Sequence, residues 1–532
     1  MSASTPAILL NQVSFAWPDG TTILDDATAA IGSGRTGLVG DNGTGKTTVL
    51  RLIRGELGPT AGTITTNGEV GYLPQHLTLA TDASVADLLG ISRPLGALRA
   101  IEAGQVSAEL FDAVGNDWDI ESRAEAALAT LGLGTLALDR PVGTLSGGET
   151  MLVALTGLRL AGTPIVLLDE PTNNLDRQAR EQLRAAIGNW RGALIVVSHD
   201  VALLEEMDET VELYRGQLSV HGGGYHLYRQ DVEQEQAAAA QGLRSAEQDL
   251  RRQQLQRRDA ETALARRQRY ANTDFTNKRK PKIVMNTRRS QAQVSAGKLR
   301  DNLDDRVETA RQQVVAQQQR LRDDDRVRID LPDPGVPAGR RLAELHHTGG
   351  VHVIAGPERL AITGRNGIGK TRLLETLSDP TLRAGREVRA VPLTNGIGYL
   401  PQRLDGLDED ASALDNVRAA AAGTPPGTVR ARLAQFLIRG DDVHRPVATL
   451  SGGERFRVAL ARLLLADPPH QLLVLDEPTN NLDLSTSQAL VDALAGYRGA
   501  LLVVSHEDHL LDRLRLDVRL ELDEAGGLVG LD

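Results

Sequence analysis

Six short motifs recur in the same order twice along the 532 residues, and this repeat constrains the chain more than any other feature. The first set is Gly40-Asp-Asn-Gly-Thr-Gly-Lys-Thr47, Gly71-Tyr-Leu-Pro-Gln75, Leu145-Ser-Gly-Gly-Glu149, Ile165-Val-Leu-Leu-Asp-Glu170, Pro171-Thr-Asn-Asn-Leu-Asp176 and Ser198-His199. The second is Gly364-Arg-Asn-Gly-Ile-Gly-Lys-Thr371, Gly398-Tyr-Leu-Pro-Gln402, Leu450-Ser-Gly-Gly-Glu454, Leu472-Leu-Val-Leu-Asp-Glu477, Pro478-Thr-Asn-Asn-Leu-Asp483 and Ser505-His506. Both halves must fold to one plan. The spacing differs at one place: Gln75 to Ser146 is 71 residues and Gln402 to Ser451 is 49. The first half therefore carries about 22 extra residues, expected within residues 90–125 as an inserted helical arm or a longer solvated loop.

The first motif has a physical reason at each fixed position. Glycines let backbone N–H groups converge on phosphate oxygens, the lysine adds a point charge, and the threonine hydroxyl ligates Mg²⁺. In each half an apolar strand precedes this loop and a helical pattern follows. The candidate phosphate-binding residues are Gly40, Asn42, Gly43, Gly45, Lys46, Thr47 and Thr48, with Gly364, Asn366, Gly367, Gly369, Lys370 and Thr371 in the second copy. Asp169 and Asp476 end apolar strands, where a carboxylate can hold Mg²⁺ through water. Glu170 and Glu477 follow directly and are expected on the opposite face of an extended chain, placed to polarise an attacking water. Gln75 and Gln402 are candidates for sensing the metal and the terminal phosphate, and His199 and His506 for contacting that phosphate.

Between the repeats, Leu303, Val307, Ala310, Val314, Gln317 and Leu321 alternate four- and three-residue steps, the seam of an antiparallel helix pair. Leu243, Ala246, Leu250, Ala260 and Leu264 keep the spacing on the other arm, interrupted by Gln253 and Arg257. Each arm is about 35 to 40 residues, so the hairpin would extend roughly 50 to 60 Å. Asn, Asp and Pro between Tyr270 and Met285 mark its tip, about residues 270–287. The expected domains are residues 1–230, a hairpin at 231–327 and residues 328–532.

Charge separates the hairpin from the rest. Residues 241–300 hold 16 Lys and Arg against 5 Asp and Glu, an excess of 11; with a chain total of −11, the remainder stands at −22. Four of the six lysines, Lys278, Lys280, Lys282 and Lys298, lie at or near the tip. Lys278, Lys280 and Lys282, with Arg279, Arg288, Arg289, Tyr270 and Phe275, form a candidate RNA contact, charges for phosphates and rings for stacked bases. A solvated coiled coil with incidental charge is the plain alternative. No apolar run approaches the ~20 residues that span a bilayer, and the N-terminus lacks a signal pattern, so a cytoplasmic protein is expected. With no cysteine, disulfides and thiolate metal sites are excluded.

Taken together, the motifs resemble the ATP-binding cassette family over almost all of both halves. The resemblance implies an α/β fold of two tandem P-loop ATPase domains joined by a long α-helical hairpin linker, with ATP and Mg²⁺ as cofactors. It implies that Ser451, Gly452 and Gly453 close the Lys46 site and that Ser146, Gly147 and Gly148 close the Lys370 site. The chain would then be a monomer with an intramolecular cassette dimer. Trp17 fits the aromatic that the family stacks on adenine; the second copy has only His346 and His347 nearby. Its helix after Glu454 has the family's basic character, whereas Glu149-Thr-Met-Leu-Val does not. Both departures fall in the Lys370 site, which is therefore expected to turn over more slowly.

Two cassettes without a membrane span, separated by a charged hairpin, resemble the ABC-F group, and the tip looks similar to actinobacterial resistance members. That implies a ribosome partner, through rRNA and tRNA, with no membrane and no DNA. Three functions stay open: a ribosome-bound ATPase that dislodges an antibiotic, a translation factor without a drug, and the energising subunit of an exporter.

Overall fold

The computed structural model describes residues 6–75, 82–173, 175–276, 282–322, 331–402, 406–479 and 482–531. The chain forms two compact units, Met1–Leu227 with Arg326–Asp532, and Tyr228–Asp325. The larger unit contains both repeats.

Each repeat is built on a six-stranded sheet. In the first, the order is Val70–Leu73, Ile165–Asp169, Ala193–Val197, Arg35–Val39, Glu209–Tyr214 and Gln217–Gly222, parallel except for the final strand. The second repeats it with Ile397–Leu400, Leu472–Asp476, Ala500–Val504, Arg359–Thr363, Val518–Leu522 and Leu528–Gly530. Parallel strands covered on both faces read as unbroken apolar runs, and Leu472–Asp476 and Ala500–Val504 are buried at every position. Alternate residues feed different cores. Leu472 and Val474 pack with Leu373 and Leu374 under a three-stranded antiparallel sheet, whereas Leu473 and Leu475 pack with Val417, Leu460 and Leu490 of the helical side. The switch from β to phosphate loop to helix therefore has a rigid two-faced base.

The extra residues of the first repeat are helical. Helices Ser92–Glu102, Ala108–Val114 and Ile120–Ala129 occupy this region, and Arg99 ties the first to the third by donating to Glu121 at 2.6 Å. The longer-loop alternative is not what the chain adopts.

In the smaller unit, helices Tyr225–Thr276 and Lys282–Arg320 pair antiparallel. Contacts between Gln236 and Arg320, Gly242 and Gln317, and Arg257 and Asp304 step in opposite directions along the two arms. Leu303 and Ala310 are buried on one arm, as are Ala239 and Ala246 on the other. Arg257, read above as an interruption, makes a 2.9 Å ion pair with Asp304. The helices differ from expectation at the tip. The first helix continues through residues 270–276, because Asn272, Thr273 and Asp274 merely have weak helix propensity and do not stop it, and Lys282 already belongs to the second. Lys278, Arg279 and Lys280 lie outside the described residues, as do the side chains of Tyr270, Phe275, Lys282, Arg288 and Arg289.

Candidate active sites

The strand Arg35–Val39 runs into the glycine loop, and Lys46 opens the helix Lys46–Ile53. Gly40 has φ 155°, and a Cβ there would stand 2.7 Å from the Leu213 carbonyl oxygen. Gly364 repeats this, with φ 137° and a Cβ 2.7 Å from the Leu522 carbonyl. Only glycine passes under the neighbouring strand at either place. Lys46 Nζ donates to the Gly40 and Asp41 carbonyls at 2.7 and 3.0 Å, and Lys370 Nζ to those of Gly364 and Arg365 at the same distances. Burial lowers both lysine pKa values, opposed by the carboxylates of Glu170 and Glu477 respectively.

Asp169 and Asp476 lie at the carboxyl ends of buried strands, and burial raises both pKa values, while Thr47 and Thr371 hydroxyls pull them back. Tyr72 donates to Asp169 Oδ2 at 3.2 Å; burial and that carboxylate push the phenol up to about 12. Both Asp476 oxygens are buried without a hydrogen bond of full geometry, even though Thr371 is close enough to act on the pKa. A buried acid left incompletely satisfied beside a threonine hydroxyl fits a hard cation that takes oxygen ligands. Among the described residues no group of three His, Asp or Glu side chains could hold a metal unaided. The donor set therefore suits an ion that arrives with phosphate oxygens, as Mg²⁺ does.

Glu170 and Glu477 depart from the expected extended geometry. Their φ angles are 50° and 48°, left-handed values that side chains other than glycine adopt at a cost. The chain turns there because the strand has ended, and each amide is held, Glu170 N–H to the Val197 carbonyl at 2.9 Å and Glu477 N–H to that of Val504 at 2.8 Å. The two histidines then meet the two glutamates. His199 Nε2 lies 2.9 Å from Glu170 Oε1, and His506 Nε2 lies 3.4 Å from Glu477 Oε1 and 3.0 Å from Lys370 Nζ. Burial pushes Glu477 up to about 7. It also drives His506 down to about 4, helped by the charges of Lys370 and Arg180.

Contacts absent from the sequence reading join the two repeats. Asn42 N–H donates to Asp483 Oδ2 at 3.1 Å, and Asn366 N–H to Asp176 Oδ2 at 3.5 Å. Each glycine loop is thus held by the aspartate that closes the other half's Pro-Thr-Asn-Asn-Leu-Asp run; these aspartates also cap helices Arg177–Gly188 and Leu484–Gly496. The only signal available was their recurrence at equal positions.

A cavity of about 760 Å³ adjoins Lys370, walled by Asn366, Thr371, Gln402, Asp476, Glu477 and His506 together with Leu175 and Arg180 of the first half. Ser146, Gly147 and Gly148 are not among its lining residues. They start the helix Gly147–Leu160, where Ser146 and Glu149 form a reciprocal cap; Ser451 and Glu454 do the same for Gly452–Leu464. Gln75 and Gln402 are exposed. Trp17 packs edge-on to Phe15, with ring centroids 5.3 Å apart, and remains partly accessible. In the second half His346 pairs with Glu344 at 3.0 Å, and His347 Nδ1 accepts from Gly349 and Leu528 N–H, so both imidazoles are engaged locally.

Two phosphate loops, each with a strand-end Asp-Glu pair and a facing histidine, define a double-cassette ATP hydrolase. The family model described as ABC transporter matches residues 24–173 and 353–480. The chain belongs to this family of ATP-binding cassette proteins, as a tandem-cassette ABC-F member. It is 32% identical to the tylosin resistance ATP-binding protein TlrC of Streptomyces fradiae, over 93% of this chain and 94% of that one. It is 29% identical to the energy-dependent translational throttle protein EttA of Mycobacterium tuberculosis, over 92% and 87%. Among solved structures, an archaeal ribosome recycling factor, aABCE1, in complex with ribosomal stalk protein aP1 superposes with a TM-score of 0.58 at 19% identity, covering 98% of this chain and 89% of that one, a likeness of fold alone. No helix among the described residues is long and apolar enough to cross a membrane.

Proposed function

We propose that this ATPase binds the ribosome, uses cassette closure to place its interdomain hairpin in the tRNA and peptidyl-transferase region, and thereby protects the ribosome from an antibiotic. The observation that carries the reading is the concentration of positive charge in residues 241–300 of an otherwise acidic chain. RNA is the polyanion such an element suits, because Lys and Arg displace its counterions and no base sequence need be read. The similarity to a tylosin resistance protein over 94% of that chain supports the drug-linked version. The similarity to a translational throttle protein supports a second reading, a translation factor without a drug. An exporter subunit would leave the paired helices without a task.

In the proposed cycle, Lys46 and Lys370 hold nucleotide phosphates against the glycine-loop amides, and Glu170 and Glu477 orient and deprotonate the attacking water. His199 holds the Glu170 carboxylate, and His506 stands between Glu477 and Lys370. Mg²⁺, held through Thr47 and Asp169 or Thr371 and Asp476 with Gln75 and Gln402 nearby, supplies charge neutralisation at the transferred phosphoryl group. The signature residues, Ser146, Gly147 and Gly148 with Ser451, Gly452 and Gly453, complete the sites on closure.

Co-sedimentation of the Glu170→Gln, Glu477→Gln double variant with ribosomes in ATP is the direct test. ATP-dependent pelleting is expected; a variant that stays in the supernatant at low and moderate salt ends the ribosome reading.

A further inference from the structure

The two halves match at the chemistry and differ four residues beyond the cross-bonding aspartates. Asp176 is followed at that distance by Arg180, and Asp483 by Ser487. Arg180 is buried, with 8% of its surface exposed. Its Nε donates to the Leu175 carbonyl at 3.2 Å, which fixes the guanidinium against its own helix start. The Nη1 end faces two carboxylates, Asp200 Oδ2 and Glu507 Oε1, each at 3.6 Å. These are equivalent residues of the two halves, directly following His199 and His506. One cation from the first half therefore bridges the two histidine loops.

The bridge is lopsided. Arg180 lines the cavity that contains Lys370, Glu477 and His506. Ser487, which takes the corresponding place in the second half, is too short and carries no charge. We infer that Arg180 is a positioning residue supplied by the first cassette to the second ATP site, where it holds the Glu507 side and so sets His506 against Glu477. The Lys46 site has no such cation from Ser487. A bridging cation also offsets the repulsion between Asp200 and Glu507 that any approach of the two loops would cause.

This inference rests on Glu170 and Glu477 being the general bases; hydrolysis surviving in the Glu170→Gln, Glu477→Gln double variant would remove that assignment by itself. Single-turnover hydrolysis reads the first cleavage before any reopening, and each single Glu→Gln background isolates one site. Arg180→Gln should slow cleavage about tenfold in the Glu170→Gln background, where the Lys370 site works, and less than about twofold in the Glu477→Gln background. Arg180→Lys, which keeps the charge and tolerates the same space, should recover most of the loss. Equal losses in both backgrounds, no loss in either, or Arg180→Lys performing no better than Arg180→Gln overturns the inference. Thermal melting of each variant separates a folding defect from a local one.

Discussion

His506 Nε2 lies 3.0 Å from Lys370 Nζ, so the imidazole nitrogen that meets the ammonium must accept, and His506 is neutral. Burial, with the charges of Lys370 and Arg180, places its pKa near 4, below the ordinary 6.5. The folded chain therefore resists a proton that the unfolded chain takes up. The stabilisation is complete above about pH 6.5 and is lost as pH falls toward 4, an effect of about 3 kcal/mol at most. Denaturant unfolding at pH 7 and pH 4.5 should show a smaller drop for His506→Gln than for the unmodified chain.

Turnover should be unequal at the two sites. Glu477 has a pKa near 7 through burial, so at neutral pH a fraction of the general base is protonated. In the Glu170→Gln variant kcat/KM should rise with pH through about 7, the direction expected of a base that must lose its proton. The Lys370 site also has the atypical signature helix and engaged imidazoles where an aromatic is expected. Glu170→Gln should therefore leave less ATPase activity than Glu477→Gln; equal losses would contradict the asymmetry.

Arg359 is the anchor of the second sheet. Its guanidinium donates to the carbonyls of Leu514, Leu494 and Tyr497 at 2.7, 2.8 and 2.8 Å, where two helices end. Arg359→Met would leave three carbonyls short of a charged donor and should destabilise the protein by about 2 to 4 kcal/mol, measured by chemical denaturation. Arg35 donates to the Gly188 carbonyl at 3.1 Å in the first half and should show the smaller effect, since its main partner Asp208 is half exposed.

Neutralising Lys278, Arg279, Lys280 and Lys282 together should weaken ribosome binding and lower its salt dependence, with a slope reduced by roughly three to four. Pelleting across a salt series measures this. Unchanged binding would move recognition to another surface.

How far the sequence was legible depends on repetition. Lys46, Asp169, Glu170 and His199 could be placed because Lys370, Asp476, Glu477 and His506 recur in step with them. The hairpin seam was legible from Leu303 to Leu321 because helical periodicity survives tertiary packing. The tip was not, since weak helix formers from Asn272 to Asp274 yield to the helix they extend. The left-handed turn at Glu170 has no sequence signature, because glutamate there is chosen for chemistry against backbone preference. Arg180 escaped for the opposite reason: a search for what the halves share cannot see a residue that matters because Ser487 differs from it.

The crossed bonds from Asn42 to Asp483 and from Asn366 to Asp176 are made within a single polypeptide. Association of the two catalytic halves is thus unimolecular, governed by an effective concentration that the covalent connection sets. Specific activity per molecule should then be the same at nanomolar and micromolar protein, where separately encoded cassettes would fall apart on dilution.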